Sequence, residues 1–303
     1  KLNTNSYYFF IKHLFYIFLA IIVLFFFSFL NQKVLFKISL ILFLVTFLTL
    51  LLVPFMGTEV KGSKRWLDLI FLPRFQPVEI LKPFFIVTLS LLLSLKNRKL
   101  YLKYFLSTVI LFPILLLLVY QPDLGQTLLI TMVWLALIFV SGINMLLFFA
   151  FFFTVGIITT YLVLFIPKFE YIKIRLLSFL DTSSGKNYQA EKASDAIING
   201  GFFGRGIGEG TLNSRVPEAH TDYIVSVISE EFGAIIVIGI LLIYLVFSYK
   251  VIQKINLLSD ERIKLVLIGS ISIILLQTFV HIGVNIRLLP TTGMTLPFLS
   301  YGG

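Results

Sequence analysis

Eight apolar runs, each close to bilayer length, govern what this 303-residue chain can fold into. They cover residues 14–30, 34–55, 77–95, 104–120, 124–140, 145–166, 224–249 and 263–289. A helix needs about 20 such residues to cross the hydrocarbon core. Transmembrane barrel strands would instead show alternating segments of about 10 residues, and these are absent. The chain is 58% hydrophobic and only 13% charged, where a soluble domain has about 25% charged residues. The pattern therefore predicts an all-α polytopic membrane protein, with residues 1–303 forming a single transmembrane bundle. The absence of cysteine excludes disulfides and thiolate metal sites.

Lysine and arginine set the orientation, because cytoplasmic loops carry the excess. One set of loop ends holds ten of them and the other seven, leaving aside the long loop 167–223. The richer set goes to the cytoplasm. Loops 56–76, 121–123, 167–223 and 290–303 then face outward, and so does the start of the chain. That start, without Met, fits a fragment that has lost a first helix with a cytoplasmic tail. The end, straight after a loop-like motif, fits a lost last helix. The net charge of +10 reflects cytoplasmic loops and contact with membrane lipid, not nucleic acid. Loop 167–223 is the only sizeable piece expected outside the membrane, and its seven basic residues balance seven acidic ones.

Titratable groups beside membrane spans are costly, so they mark candidate chemistry. The densest stretch is residues 215–233, R-V-P-E-A-H-T-D-Y-I-V-S-V-I-S-E-E-F-G. Thr221 or Asp222 falls where a helix N-cap belongs. A carboxylate there, beside the positive helix end, is ionised and can take a proton from a sugar hydroxyl. Glu218 and His220 lie close by in sequence as substrate contacts. Glu230 and Glu231 need partners, for which Lys82 and Arg287 are candidates. Equally, the stretch could be a plain cap with interfacial acids.

Five further stretches carry polar groups. In Q-P-V-E-I-L-K-P, 76–83, Glu79 and Lys82 share one helix face at i,i+3. Pro83 removes the donor to the Glu79 carbonyl and should kink the helix there. In K-G-S-K-R-W-L-D-L, 61–69, Arg65 and Trp66 offer a cation and a flat face, or simply an interfacial anchor. In Q-P-D-L-G-Q, 121–126, Asp123 reads as the cap of the next helix. The run G-G-F-F-G-R-G-I-G-E-G, 200–210, lacks the Lys-Ser/Thr of a phosphate loop and reads as flexible. Gln277, His281 and Asn285 form one polar stripe that reads as hydrogen-bonding glue between helices. Finally, L-L-P-T-T-G-M-T-L-P-F-L-S-Y-G-G, 288–303, cannot continue a helix and must be buried in protein or line a cavity.

Six of these stretches, in this order, resemble the SEDS (FtsW/RodA) family of peptidoglycan polymerases. They are K-R-W-L, Q-P-V-E-I-L-K, Q-P-D-L-G-Q, the glycine-rich run, V-P-E-A-H-T-D-Y-I-V-S-V-I-S-E-E-F-G and L-L-P-T-T-G-M-T-L-P-F-L-S-Y-G-G. P-E-A-H-T-D and L-P-T-T-G-M-T-L-P-F resemble the division branch more than the elongation branch. The family has ten spans, and the eight here would be its second to ninth. Arg287 and His281 depart from its usual Gly and Asn.

The resemblance implies polymerisation of lipid II at the outer face of the bacterial inner membrane during septal wall synthesis. It also implies a class B penicillin-binding transpeptidase and other division proteins as partners. On it, Asp222 is the essential aspartate of the H-T-D motif and the catalytic base, and Glu79, Lys82, Arg65 and Trp66 match further family positions. Lys82 would stabilise the departing diphosphate, with help from Arg65 or Arg74. No cofactor is certain. A divalent cation (Mg or Mn) could assist, although the sequence holds no convincing ligand cluster. The rival readings are a lipid II flippase and a non-catalytic scaffold for a transpeptidase.

Overall fold

A computed structural model describes residues 7–60, 63–69, 72–96, 99–180, 188–211 and 219–300. The apolar runs form α1 (Tyr7–Ser28), α2 (Gln32–Met56), α3 (Pro77–Leu93), α4 (Leu100–Tyr120), α5 (Leu124–Val140) and α6 (Met145–Phe165). Then follow α7 (Glu170–Leu180), α8 (Tyr188–Gly200), α9 (Ile224–Phe232), α10 (Ala234–Leu257) and α11 (Glu261–Asn285). Among the described residues, α2, α4, α6, α10 and α11 are each long and apolar enough to cross a membrane. α3 and α5 are shorter, at 17 residues each. This is a helical membrane protein.

The core is the meeting line of α3, α5 and α11, flanked by α2 and α4. Lipid tails give helices no hydrophobic reason to associate, so close contact depends on small residues and polar glue. Gly269 of α11 supplies the first. A Cβ there would lie 2.5 Å from Ile86 of α3 and 3.3 Å from Leu137 of α5. Trp134 supplies the second, donating from Nε1 to Ser107 Oγ on α4 at 3.1 Å. α6 stays on the outside of the bundle, touching it through Phe151 on Trp134 and Phe148 on Phe139.

Two expectations change. Loop 56–76 contains an antiparallel sheet of β1 (Thr58–Val60), β2 (Ser63–Leu69) and β3 (Leu72–Phe75), in that order. Side chains alternate between faces along a strand, so Arg65 shares a face with buried Leu67 while Trp66 points the other way.

The second change concerns the run 224–249, expected as one span. It is two helices, α9 and α10, broken at Gly233 with φ +84°. Ala234 N donates to Gly201 O at 2.9 Å and Ile235 N to Phe202 O at 3.3 Å. The glycine-rich run thus supplies acceptors that α10 lacks at its first turn. Gly206 N and Arg205 N donate in turn to the carbonyls of Glu231 and Glu230. The fully buried Glu230 carboxylate accepts from Asn199 Nδ2 and Thr211 N, both at 3.0 Å. The run 200–210 is therefore a docked clasp, not a flexible spacer. A Cβ at Gly233 would sit 2.2 Å from Phe202 O, and at Gly204 2.2 Å from Glu231 O. Gly233→Ala is expected to cost roughly 2–4 kcal/mol, from a strained φ plus overpacking. The melting temperature of the detergent-purified protein checks this.

A candidate active site at the loop-bearing end

The four loops expected to face outward gather at one end of the bundle. Arg65 of β2 reaches the 121–123 turn, donating from Nε to Gln121 O at 3.3 Å and from its terminal nitrogen to Pro122 O. Gln76 donates to Asp123 at 2.8 Å. Gly125 at the start of α5 packs on Thr292, and Asn285 Nδ2 donates to Asp222 O at 3.1 Å. At the opposite end, Arg262 lies over the Phe36 ring, 5.6 Å from its centre.

α3 begins with Pro77 in its first turn, which needs no amide partner there. The helix runs through Pro83 without ending. One turn in, Glu79 and Lys82 form the expected pair, Lys82 Nζ to Glu79 Oε2 at 2.5 Å. Lys82 is buried, and its ammonium also donates to Gln277 Oε1 of α11 at 3.3 Å. Gln126 of α5 donates to the other Glu79 oxygen. The pair is therefore held from three helices, as a charge at membrane depth requires.

Beside it, Asp123 caps α5 through Gln126 N at 3.4 Å, as the sequence suggested. Burial pushes its carboxyl above the usual carboxylate range, while the Arg65 guanidinium, 3.8 Å away, opposes that shift.

Residues 290–300 close the site. Gln277 Nε2 donates to Thr295 O at 3.0 Å, and His281 Nδ1 donates to Met294 O at 2.8 Å. Ser300 Oγ donates to Thr221 O at 2.7 Å. A Cβ at Gly293, where φ is +72°, would lie 3.6 Å from Asp222 Oδ2. One short stretch of backbone thus runs beside Asp222 at Gly293 and reaches Lys82 through Thr295 and Gln277.

The remaining candidates fall elsewhere. Arg65 is committed to the turn carbonyls and Asp123. Arg74 makes an exposed pair with Asp68 at 3.3 Å. His220 is exposed, two residues from Asp222. Glu218 lies outside the described residues. The α9 N-cap is Tyr223, not Thr221 or Asp222, and its side chain makes no capping bond. Nor do Lys82 and Arg287 serve Glu230 as expected. Lys82 is taken by Glu79 and Gln277, and Arg287 lies 3.9 Å from Glu191 on α8.

The arrangement links the half-buried Asp222 to the buried Lys82 ammonium through one proline-flanked loop. Comparison with known proteins sorts the possibilities. A model of the FtsW/RodA/SpoVE family, described as cell cycle protein, matches residues 1–303. The chain belongs to the SEDS family.

Among SEDS relatives, the probable peptidoglycan glycosyltransferase FtsW of Coxiella burnetii is 36% identical, across 98% of this chain and 82% of its own length. The Caulobacter vibrioides protein of the same name is 33% identical across 82% of this chain. This chain covers 63% of that protein's length. A chain from work on structural coordination of polymerization and crosslinking by a peptidoglycan synthase complex aligns with TM-score 0.81 and 25% identity. That alignment covers 97% of this chain and 83% of the other. The crystal structure of Thermus thermophilus rod shape determining protein RodA shares the fold, with TM-score 0.66 and 23% identity, over 93% of this chain and 77% of its own.

Sequence reasoning passed over Gln126, Gln277, Asn285 and Gly293 as members of the candidate site. For Gln277 and Asn285 a signal existed in the four-residue spacing with His281. That stripe is helix glue as expected, but what it glues is the site itself.

Proposed function

We propose that this chain polymerises lipid II by glycosyl transfer at the outer face of the bacterial inner membrane, in septal wall synthesis, beside a class B transpeptidase. The names of its FtsW relatives and the synthase complex it resembles support the reaction class and the partner. The observation that carries the residue assignment is the 290–300 loop, which runs beside Asp222 at Gly293 and is tied through Gln277 to Lys82.

In this reading the Asp222 carboxylate accepts the proton of the acceptor sugar hydroxyl. The freed oxygen forms a bond to the anomeric carbon of the donor. The bond from that carbon to the diphosphate oxygen breaks, and the diphosphate leaves with the electron pair. Lys82 stabilises the charge that develops there, in a site dry enough to make the interaction strong. Glu79 holds Lys82 in place, and Gln277 and Gln126 hold the pair. Arg65 acts by fixing the 121–123 turn. Trp66, Arg74, Glu218 and His220 are assigned to the substrate approach. Among the described residues no three His, Asp or Glu side chains form a metal-ligand set.

Incubating lipid II with the full-length protein and its transpeptidase, and resolving products on a gel, tests the reading. A ladder of glycan strands is expected. Translocation of lipid II across liposomes with no ladder would point to a flippase instead.

A further inference from the structure

Among the described residues, three cavities stand out. Two are apolar grooves along α6, facing lipid. The third, of about 410 Å³, lies at the loop-bearing end between the α2 terminus, the β1–β2 hairpin and the α4–α5 turn. Pro54 and Pro122 form walls, and Glu59, Lys64, Tyr120 and Gln121 line it. No step of the mechanism uses those side chains.

Its chemistry is specific. Glu59 and Lys64 are cross-strand partners, so their charges balance. Arg65, next to Lys64 in β2, is turned to the carbonyls of Gln121 and Pro122. A free diphosphate would find one shared ammonium here and a carboxylate opposing it. A neutral, polar ligand suits the site better. The Tyr120 ring is 57% exposed and offers a flat apolar face. Gln121 is only 3% exposed, yet its Nε2 has no hydrogen-bond acceptor among the described residues. A buried donor left unpaired costs about 1–3 kcal/mol, and such groups are rare enough to call for an explanation. Rotated into the cavity that Gln121 lines, its Nε2 would donate to an amide carbonyl on a ligand. A ring with an apolar face and an acetamido oxygen combines both demands.

We propose that this cavity is a saccharide subsite that retains the N-acetylated glycan product during successive transfers. The idea rests on the glycosyl-transfer reading. It adds a place where the strand is held, distinct from Asp222 and Lys82. The Gln121 side chain takes no part in holding the transfer residues: Arg65 contacts only the backbone carbonyls of Gln121 and Pro122, which a side-chain substitution keeps.

Two measurements on the full-length protein test it. In the first, Gln121→Met and Tyr120→Leu are compared with wild type in lipid II polymerisation. Lipid II consumption should stay within about twofold, while mean strand length falls by about fivefold, the factor one lost hydrogen bond supplies. An unchanged length distribution in both variants overturns the subsite. So does a parallel fall in consumption and length in both. In the second, triacetylchitotriose binding is followed by saturation-transfer NMR. Wild type should show contacts that each variant weakens by about fivefold or more. Absence of contacts with wild type, or contacts that both variants leave intact, overturns it. If wild type binds the trisaccharide and the variants do not, yet wild type makes no strands from lipid II, the glycosyl-transfer reading fails while the sugar site stands.

Discussion

Asp222→Asn is expected to slow lipid II polymerisation by about 10²–10⁴-fold, the span for losing a positioned general base. The substitution keeps the size of the side chain, and the Asp222 carbonyl still accepts from Asn285. Melting temperature should therefore move little. The measurement is initial rate of strand formation from purified lipid II, with melting as the control for folding. Asn cannot take the acceptor proton, so substrate binding should survive while turnover does not. Activity within a fewfold of wild type would sink the assignment of the base, whatever the fate of the rest of the site.

Lys82→Met carries the second large effect. Removing the ammonium leaves the departing diphosphate without its nearest buried cation, and a loss of about 10²–10³-fold in turnover is expected. Stability should fall too, because Glu79 loses its counter-charge. That loss is smaller than the roughly 3–5 kcal/mol typical of fully buried pairs, since the Glu79 side chain is 35% exposed and keeps Gln126. The double variant Glu79→Gln/Lys82→Met separates the two roles. It removes both charges and should recover melting temperature while turnover stays low. Recovery of turnover along with stability would mean that the pair is only structural.

The places of the helices could be read from the sequence because apolar length is a direct physical requirement of the bilayer. Glu79 and Lys82 were legible for the same reason: charges on such a run must pair, and i,i+3 spacing puts them on one face. Asp123 as a cap was equally local. Less was visible where the outcome depends on distant backbone. Nothing near Gly233 announces that Gly201 and Phe202 will supply acceptors to α10, so one apolar run read as one helix. The clasp also reverses the sense of the glycine-rich run. Its glycines permit backbone to approach backbone at about van der Waals limits, a demand that looks like flexibility until the partner is known. The sheet at 58–75 was hidden by brevity. Once present, its alternation decides that Arg65 and Trp66 face apart.

The stretch from Gly293 to Thr295 brings its own consequence. Acceptor activation and leaving-group stabilisation are usually thought of as separately adjustable. On the proposed reading, a shift of the peptide units between Gly293 and Thr295 would be felt by Asp222 on one side and by Lys82 on the other. Selection acting on either half of the reaction would be felt by both, so natural variation in pace among such enzymes should arise by changing this tether and not by trading the charged groups themselves.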